Sequence, residues 1–142
     1  MADVHTTEIR SFNMAMIHGK DTKPEIKVRK YLFSKGFRFR KNDRRYLGKP
    51  DIVLPKYKTI VFVNGCFWHG HKDCKYYSLP KTNSDFWQKK INRNIERDAQ
   101  TYQSLASDGW RIIVVWECQL KNKKVFEETM LDLERRIKEF SD

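Results

Sequence analysis

No apolar stretch in this chain approaches the ~20 residues that a membrane-spanning helix requires, and no apolar signal segment opens it. Internal repeats, low-complexity tracts and Pro- or Ser-rich linkers are absent too, which excludes solenoid and multi-domain readings and leaves one unit of 142 residues. Cysteine is scarce. Its count of three is odd, which argues against a closed disulfide framework and for a reducing, cytoplasmic setting. Acidic side chains are also in deficit, with 18 Asp plus Glu against 29 Lys plus Arg, a formal charge of +11 and a pI near 9.7. Such an imbalance suits a polyanionic partner, nucleic acid first.

The few cysteines sit with histidine. Cys66, His69, His71 and Cys74 fall within the run from Gly65 to Cys74, and Cys118 follows a later apolar segment. A structural zinc takes four thiolate or imidazole ligands in a tetrahedron. Three cysteines and one histidine complete that set and leave the second histidine free for chemistry, although spacing alone does not choose between His69 and His71. Phe67, Trp68, Phe86 and Trp87 lie among polar and basic residues rather than in periodic apolar runs, as aromatics that stack on bases do.

The first ~20 residues read as a partly helical arm, by their loop and breaker signals. Thr22 and Glu25 have capping-box spacing and open a helix to about Lys35, stopped by Gly36. Phe37-Arg38-Phe39 alternates as a short strand, and 51–54 and 59–63 read as two more around the turn Pro55 to Lys58. After the Cys/His loop a long helix carries Ile91, Ile95, Ala99, Tyr102 and Leu105 as an apolar stripe, with Lys89, Lys90, Arg93 and Arg97 on its other face. Asp108-Gly109 ends it. The β-branched run 110–116 has the character of a buried central strand, and a last helix over 124–140 presents Phe126, Met130, Leu133, Ile137 and Phe140 on one stripe. The expected fold is an α/β sandwich around a mixed sheet.

Asp51 follows Pro50 at the start of a strand, and the next strand runs into the Cys/His loop, so Asp51 and the residues near Val63 are expected at adjacent strand ends. Magnesium needs little more than one carboxylate, a carbonyl and waters. The alternative makes Asp51 a turn carboxylate after proline.

The opening Met1 to His5, the Arg10 to Met14 arm, Asp21-Thr22 with Glu25, Pro50-Asp51, Gly65 to His69, Phe86-Trp87 through Asn94 to Asp98, and Gly109 to Arg111 with Val115 to Cys118 together resemble the very short patch repair mismatch endonucleases, zinc-containing relatives of the restriction-endonuclease fold. The resemblance runs nearly end to end. It implies a restriction-endonuclease-like mixed β-sheet flanked by α-helices, with a DNA-contacting arm over 1–20 and one endonuclease domain over 21–142. The implied activity is magnesium-dependent nicking of one strand of double-stranded DNA beside a thymine mispaired with guanine, which starts repair of deaminated 5-methylcytosine. On this resemblance Asp51 and the Val63 carbonyl hold magnesium, His69 is the general base, Glu25 holds metal-bound water, and Cys66, His71, Cys74 and Cys118 hold zinc. Glu25 equally completes the capping box. Phe67, Trp68 and Trp87 resemble the wedge driven between base pairs, with Met14 approaching from the other groove, and Lys90 and Asn94 the residues that touch the mispair. A monomer acting on mismatched duplex, with repair-machinery partners and no membrane, completes the expectation.

One departure matters. Family members commonly carry histidine where this chain has Asn64, and Asp73 is an additional residue before Cys74. Asparagine hydrogen-bonds to water or phosphate and is no acid near pH 7, so a proton for the leaving group must come from elsewhere, magnesium-bound water being one source. A restriction-like nuclease acting on matched or modified DNA and a non-catalytic zinc-stabilised DNA-binding module are the alternatives.

Overall fold

The computed structural model describes residues 22–41, 45–75 and 77–139. The 1–20 arm, with Met14, lies outside them, as does Phe140. Helix α1 (Lys23–Ser34) leads to strands β1 (Arg40–Lys41), β2 (Ile52–Leu54) and β3 (Thr59–Asn64). The loop that follows ends at the long helix α2 (Ser84–Ser107), and then come β4 (Arg111–Trp116) and α3 (Lys123–Glu139). Among the described residues the sheet has the order β1-β2-β3-β4. β1, β2 and β3 pair antiparallel, and β3 pairs parallel with β4. The sheet is therefore mixed, with helices on both faces, as expected.

Alternation along the strands divides the core. Ile52, Leu54, Val61, Ile113 and Val115 face α1 and α3, where Val28, Leu32, Met130, Leu133 and Ile137 meet them. Val53, Ile60 and Phe62 point the other way, packing with Leu105 of α2 and with Ile112 and Val114. A side-chain period of two puts successive residues on opposite faces. Both faces are covered, so the strands read as continuous apolar runs. No described helix is long and apolar enough to cross a membrane.

Three expectations change. Phe37-Arg38-Phe39 is not a strand, because the Phe37 N–H bonds the Leu32 carbonyl at 3.0 Å and Gly36 takes φ +86°. That six-to-one bond is how a left-handed glycine closes a helix, and pairing begins only at Arg40. The 111–116 strand buries only Ile113 and Val115 and stands at one edge of the described sheet rather than at its centre, since α2 carries the chain across to lie beside β3 alone.

The third change concerns α2. Its buried positions are Ile91, Asn94, Thr101 and Leu105, whereas Ile95 is 43% exposed and Ala99 is exposed. The inward stripe is thus rotated from the purely apolar one and is polar at its middle. Replacing Ile91 by Ala is expected to cost about 2–4 kcal/mol through the cavity it leaves, and Ile95→Ala less than about 1 kcal/mol; denaturant melts of the two variants check this order.

Candidate functional site

Parallel pairing sets Asn64 opposite Trp116, and each strand then runs on by two residues to a cysteine, Cys66 and Cys118. Cys118 lies in a 3₁₀ turn (Glu117–Leu120) that keeps it at the strand end, and its N–H reaches the Cys66 Sγ at 3.4 Å. The loop after β3 folds back through bonds from the His69 N–H to the Gly65 carbonyl, from Gly70 to Phe67 and from His71 to Cys66. Asp73, the additional residue, takes φ +57° in the turn before Cys74. The result is a cluster in which one donor atom each from Cys66, His71, Cys74 and Cys118 lies within 4.8 Å of all the others.

That spacing and that donor set fit a structural zinc. The His71 Nδ1 stands 3.5 Å from the Cys118 Sγ, and its ring stacks flat on Trp116 at 4.0 Å. Burial pushes the Cys66 thiol up to about 12, raises Cys118 as well, and lowers His71. Thiols so placed stay protonated until a cation replaces the protons.

Gly70 separates the two histidines. At φ +59° it turns the chain so that His71 faces the thiols and His69 faces α2, and a Cβ there would come within 2.8 Å of Ile91 and Ile95 side-chain atoms. The choice that spacing left open is thereby made: His71 belongs to the cluster and His69 does not. Instead the His69 Nδ1 meets the Asp98 Oδ2 at 2.5 Å. A carboxylate accepts, so the proton sits on Nδ1 and the Nε2 lone pair is left for chemistry. Asp98 was not singled out as a functional residue in the sequence; its signal is its place four residues after Asn94 on the face of α2 that proves polar.

The second group gathers at the other side of β3. The Val63 N–H donates to the Asp51 Oδ2 at 2.6 Å, as adjacent strand ends required. Glu25 on α1 is 4% exposed and faces Asp51. Its Oε2 also accepts from the Thr22 N–H and hydroxyl, each at 2.7 Å, so the helix cap and the approach to Asp51 are made by one side chain. Arg29, buried one turn on, has its guanidinium 4.0 Å from the Glu25 Oε1. Burial and then Glu25 push the Asp51 carboxyl up to about 9, against the smaller pull of the Val63 N–H and Arg29. Two buried carboxyl groups sharing one space are a natural seat for a divalent cation.

Asn64 is 3% exposed and its Nδ2 donates to the Tyr102 hydroxyl at 2.8 Å. Asn94 is also buried, its Nδ2 donating to the Trp68 carbonyl at 2.8 Å. Lys90, one turn before it, is half-buried. The aromatic residues form one cluster: Phe67 contacts Trp68, Trp87 and Tyr77, Trp68 contacts Trp87, and Phe86 contacts Trp87. Trp68 is buried, Phe67 and Trp87 are half-buried, and Phe86 is 59% exposed.

His71→Ala is expected to lose zinc and the fold with it, given the roughly 10–16 kcal/mol that structural zinc supplies in small peptides, whereas His69→Ala keeps zinc and loses cleavage; metal content and nicking measured side by side distinguish them. A second expectation concerns pH. The Asp51 carboxyl ionises near 3.8 when unfolded and near 9 when folded, so the folded chain holds the extra proton. The stability tied to it is complete below the unfolded value and is lost as pH rises toward 9. Without magnesium, Asp51→Asn should therefore melt higher than the parent at pH 8, with the gap closing toward pH 5, in thermal scans of both proteins.

Comparison with known proteins fits this arrangement. Residues 2–76 match the family model described as DNA mismatch endonuclease Vsr. The chain is 56% identical over 139 residues to the Type II nicking enzyme V.NmeAIP of Neisseria meningitidis, covering 98% of this chain and 99% of the relative. It is 41% identical to the Type II nicking enzyme V.XorIIP of Xanthomonas oryzae, over 94% of this chain and 97% of the relative. Identity to the DNA mismatch endonuclease Vsr of Escherichia coli is 39%, over 92% and 83%. With the mixed sheet, the Cys₃His cluster and the carboxylate and histidine groups at one end of β3, the chain belongs to the Vsr family of strand-nicking DNA endonucleases.

Proposed function

We propose that the protein nicks one strand of duplex DNA beside a thymine-guanine mispair, using magnesium, at the site formed by Asp51, His69 and Asp98. The observation that carries the hydrolytic reading is the His69–Asp98 bond, which takes up Nδ1 and leaves the Nε2 lone pair to accept a proton. Hydrolysis needs a base for the attacking water, and an imidazole held in one tautomer by a carboxylate supplies it near neutral pH. Water loses a proton to the His69 Nε2 as its oxygen bonds to phosphorus, and the phosphorus bond to one sugar oxygen breaks, its electron pair going to that oxygen, which takes a proton from solvent water. Asp98 then faces an imidazolium and steadies it, the role a buried carboxylate has in other oriented-histidine sites.

Asp51 would hold the cation through its carboxylate, with the Val63 carbonyl as a second oxygen and Glu25 holding metal-bound water from α1. The two carboxyl groups and the Val63 N–H already converge, so the residues suit a hard cation. A divalent cation there supplies charge neutralisation at the phosphoryl oxygens and a more acidic water. Neutral Asn64 contributes neither acid nor base.

For the mispair, the aromatic cluster is the natural wedge. Phe67 and Trp87 are half-buried and Phe86 stands out from them, while Trp68 is buried against both Phe67 and Trp87. Trp68 is therefore best read as the support on which the inserting rings rest. Opening a base step costs a few kcal/mol, less where pairing is already faulty, and stacking on an aromatic returns part of it. Lys90 lies beside this cluster on α2, where a contact to the mispaired bases can complete recognition, whereas the buried Asn94, its amide on the Trp68 carbonyl, holds the loop instead.

A second reading has one observation in its favour: two relatives at higher identity than the Escherichia coli mismatch endonuclease are named nicking enzymes. It places the nick at a site in which the mispair is not obligatory. End-labelled duplexes differing only by a central thymine-guanine mispair, incubated with magnesium and the zinc-loaded protein, decide between the two. The expected result is a nick beside the mispaired thymine that disappears with Asp51→Ala; equal nicking of the matched duplex would establish the second reading instead.

A further inference from the structure

Three side chains of α2, spaced by four residues, each grip a different part of the site. Asn94 holds the Trp68 carbonyl, Asp98 holds His69, and Tyr102 receives the Asn64 amide. The first two fix the loop. The third reaches the end of β3 itself, and neither the proposed reaction nor the sequence pattern gives Tyr102 a role there.

The Tyr102 ring is fixed by contact with Phe62 at 5.1 Å, so its hydroxyl has little freedom of position. Asn64 is almost wholly buried and follows Val63, whose N–H holds Asp51. A primary amide carries its donors on nitrogen and its acceptor on oxygen. The bond to Tyr102 uses one of the two Nδ2 hydrogens and fixes the plane of the amide, and with it the position of the side-chain oxygen. Phosphate oxygens only accept, so an amide oxygen gives them nothing, whereas it can accept a hydrogen bond from water. Burial, with Asp98 and Asp51 nearby, pushes the Tyr102 phenol up to about 12 and keeps its hydroxyl protonated. Asn64 adjoins Val63, which holds Asp51, and Tyr102 lies one turn after Asp98 on α2, so their bond links the strand end of one group to the helix of the other.

We infer that Tyr102 is a positioning residue for the nicking reaction, orienting Asn64 so that its side-chain oxygen holds a water of the hydrolytic site. The inference rests on the nuclease reading above. It assigns a purpose to the departure at position 64: an amide cannot orient itself by tautomer as a histidine does, and Tyr102 supplies the orientation from outside.

The test uses the zinc-loaded full chain with Tyr102→Phe, which keeps the ring packing, Asn64→Ala, and the double variant. In single-turnover nicking of the mispaired duplex each single variant is expected to lose about tenfold in rate, and the double variant no more than either alone, with the duplex KM unchanged. Full rate in Tyr102→Phe, or losses that multiply to about a hundredfold as independent sites would, overturns the inference. Solvent exchange of the Asn64 side-chain amide protons, read by nuclear magnetic resonance, gives an answer without turnover. Slow exchange in the parent and fast exchange in Tyr102→Phe supports the orientation; fast exchange in both refutes it. If the parent nicks no duplex, the nuclease reading fails by itself and the exchange measurement still decides the pair.

Discussion

Parallel register between β3 and β4 brings Cys66 and Cys118 side by side, each two residues beyond the Asn64 and Trp116 pair, and the loop between Gly65 and Cys74 folds back to set His71 and Cys74 beside them, a donor set that fits zinc. Without a cation, one buried and three half-buried donors would be packed as neutral thiols and an imidazole, since burial disfavours the charged forms of Cys66, Cys118 and His71. With zinc the same donors become a rigid closure. Trp116 stacked on His71 extends this closure into the strand, and His69, two residues from His71, inherits its position from it.

The second constraint is the polar face of α2. A helix packed on a sheet ordinarily turns an apolar stripe inward, and α2 does so only at Ile91 and Leu105. Between them Asn94, Asp98 and Tyr102 bond to the loop and to β3. Each of these bonds contributes modestly to folding, on the order of 1 kcal/mol for a typical intramolecular bond. Their larger effect is geometric: a loop that zinc closes at one side and a helix grips at the other has no freedom left at His69. A reactive imidazole gains from such fixation because misplacement by about 1 Å costs catalysis heavily.

Much of this was legible in the sequence, for reasons that differ by residue. The helix over 23–34 announced itself through Thr22, Glu25 and Gly36, and Asp51 beside Val63 followed from two strands with a short turn between them. These are local signals with a fixed geometry. The ligand role of His71 was not legible from spacing, because Gly70 alone decides which way each imidazole points, and that depends on Ile91 and Ile95 crowding the loop. The inward face of α2 was misread since Ile95 and Ala99 fit a 3.6-residue period, while the true register is set by tertiary partners of Asn94, Asp98 and Tyr102. Arg29 was passed over for a similar reason: a cation on a helix ordinarily faces solvent, and only the fold shows it buried beside Glu25. Polar residues at helical spacing carry no hydrophobic signal, and the sequence names no partner for them.

One loop divides its two histidines between a metal cluster and a reaction site. Long-range nitrogen-proton correlation spectra of the imidazoles in the zinc-loaded protein, followed across pH, test it directly. The expected spectra show one metal-bound nitrogen on His71 and none on His69, whose proton sits on Nδ1 in the neutral form. Two metal-bound imidazoles, or a neutral His69 protonated on Nε2, would contradict it.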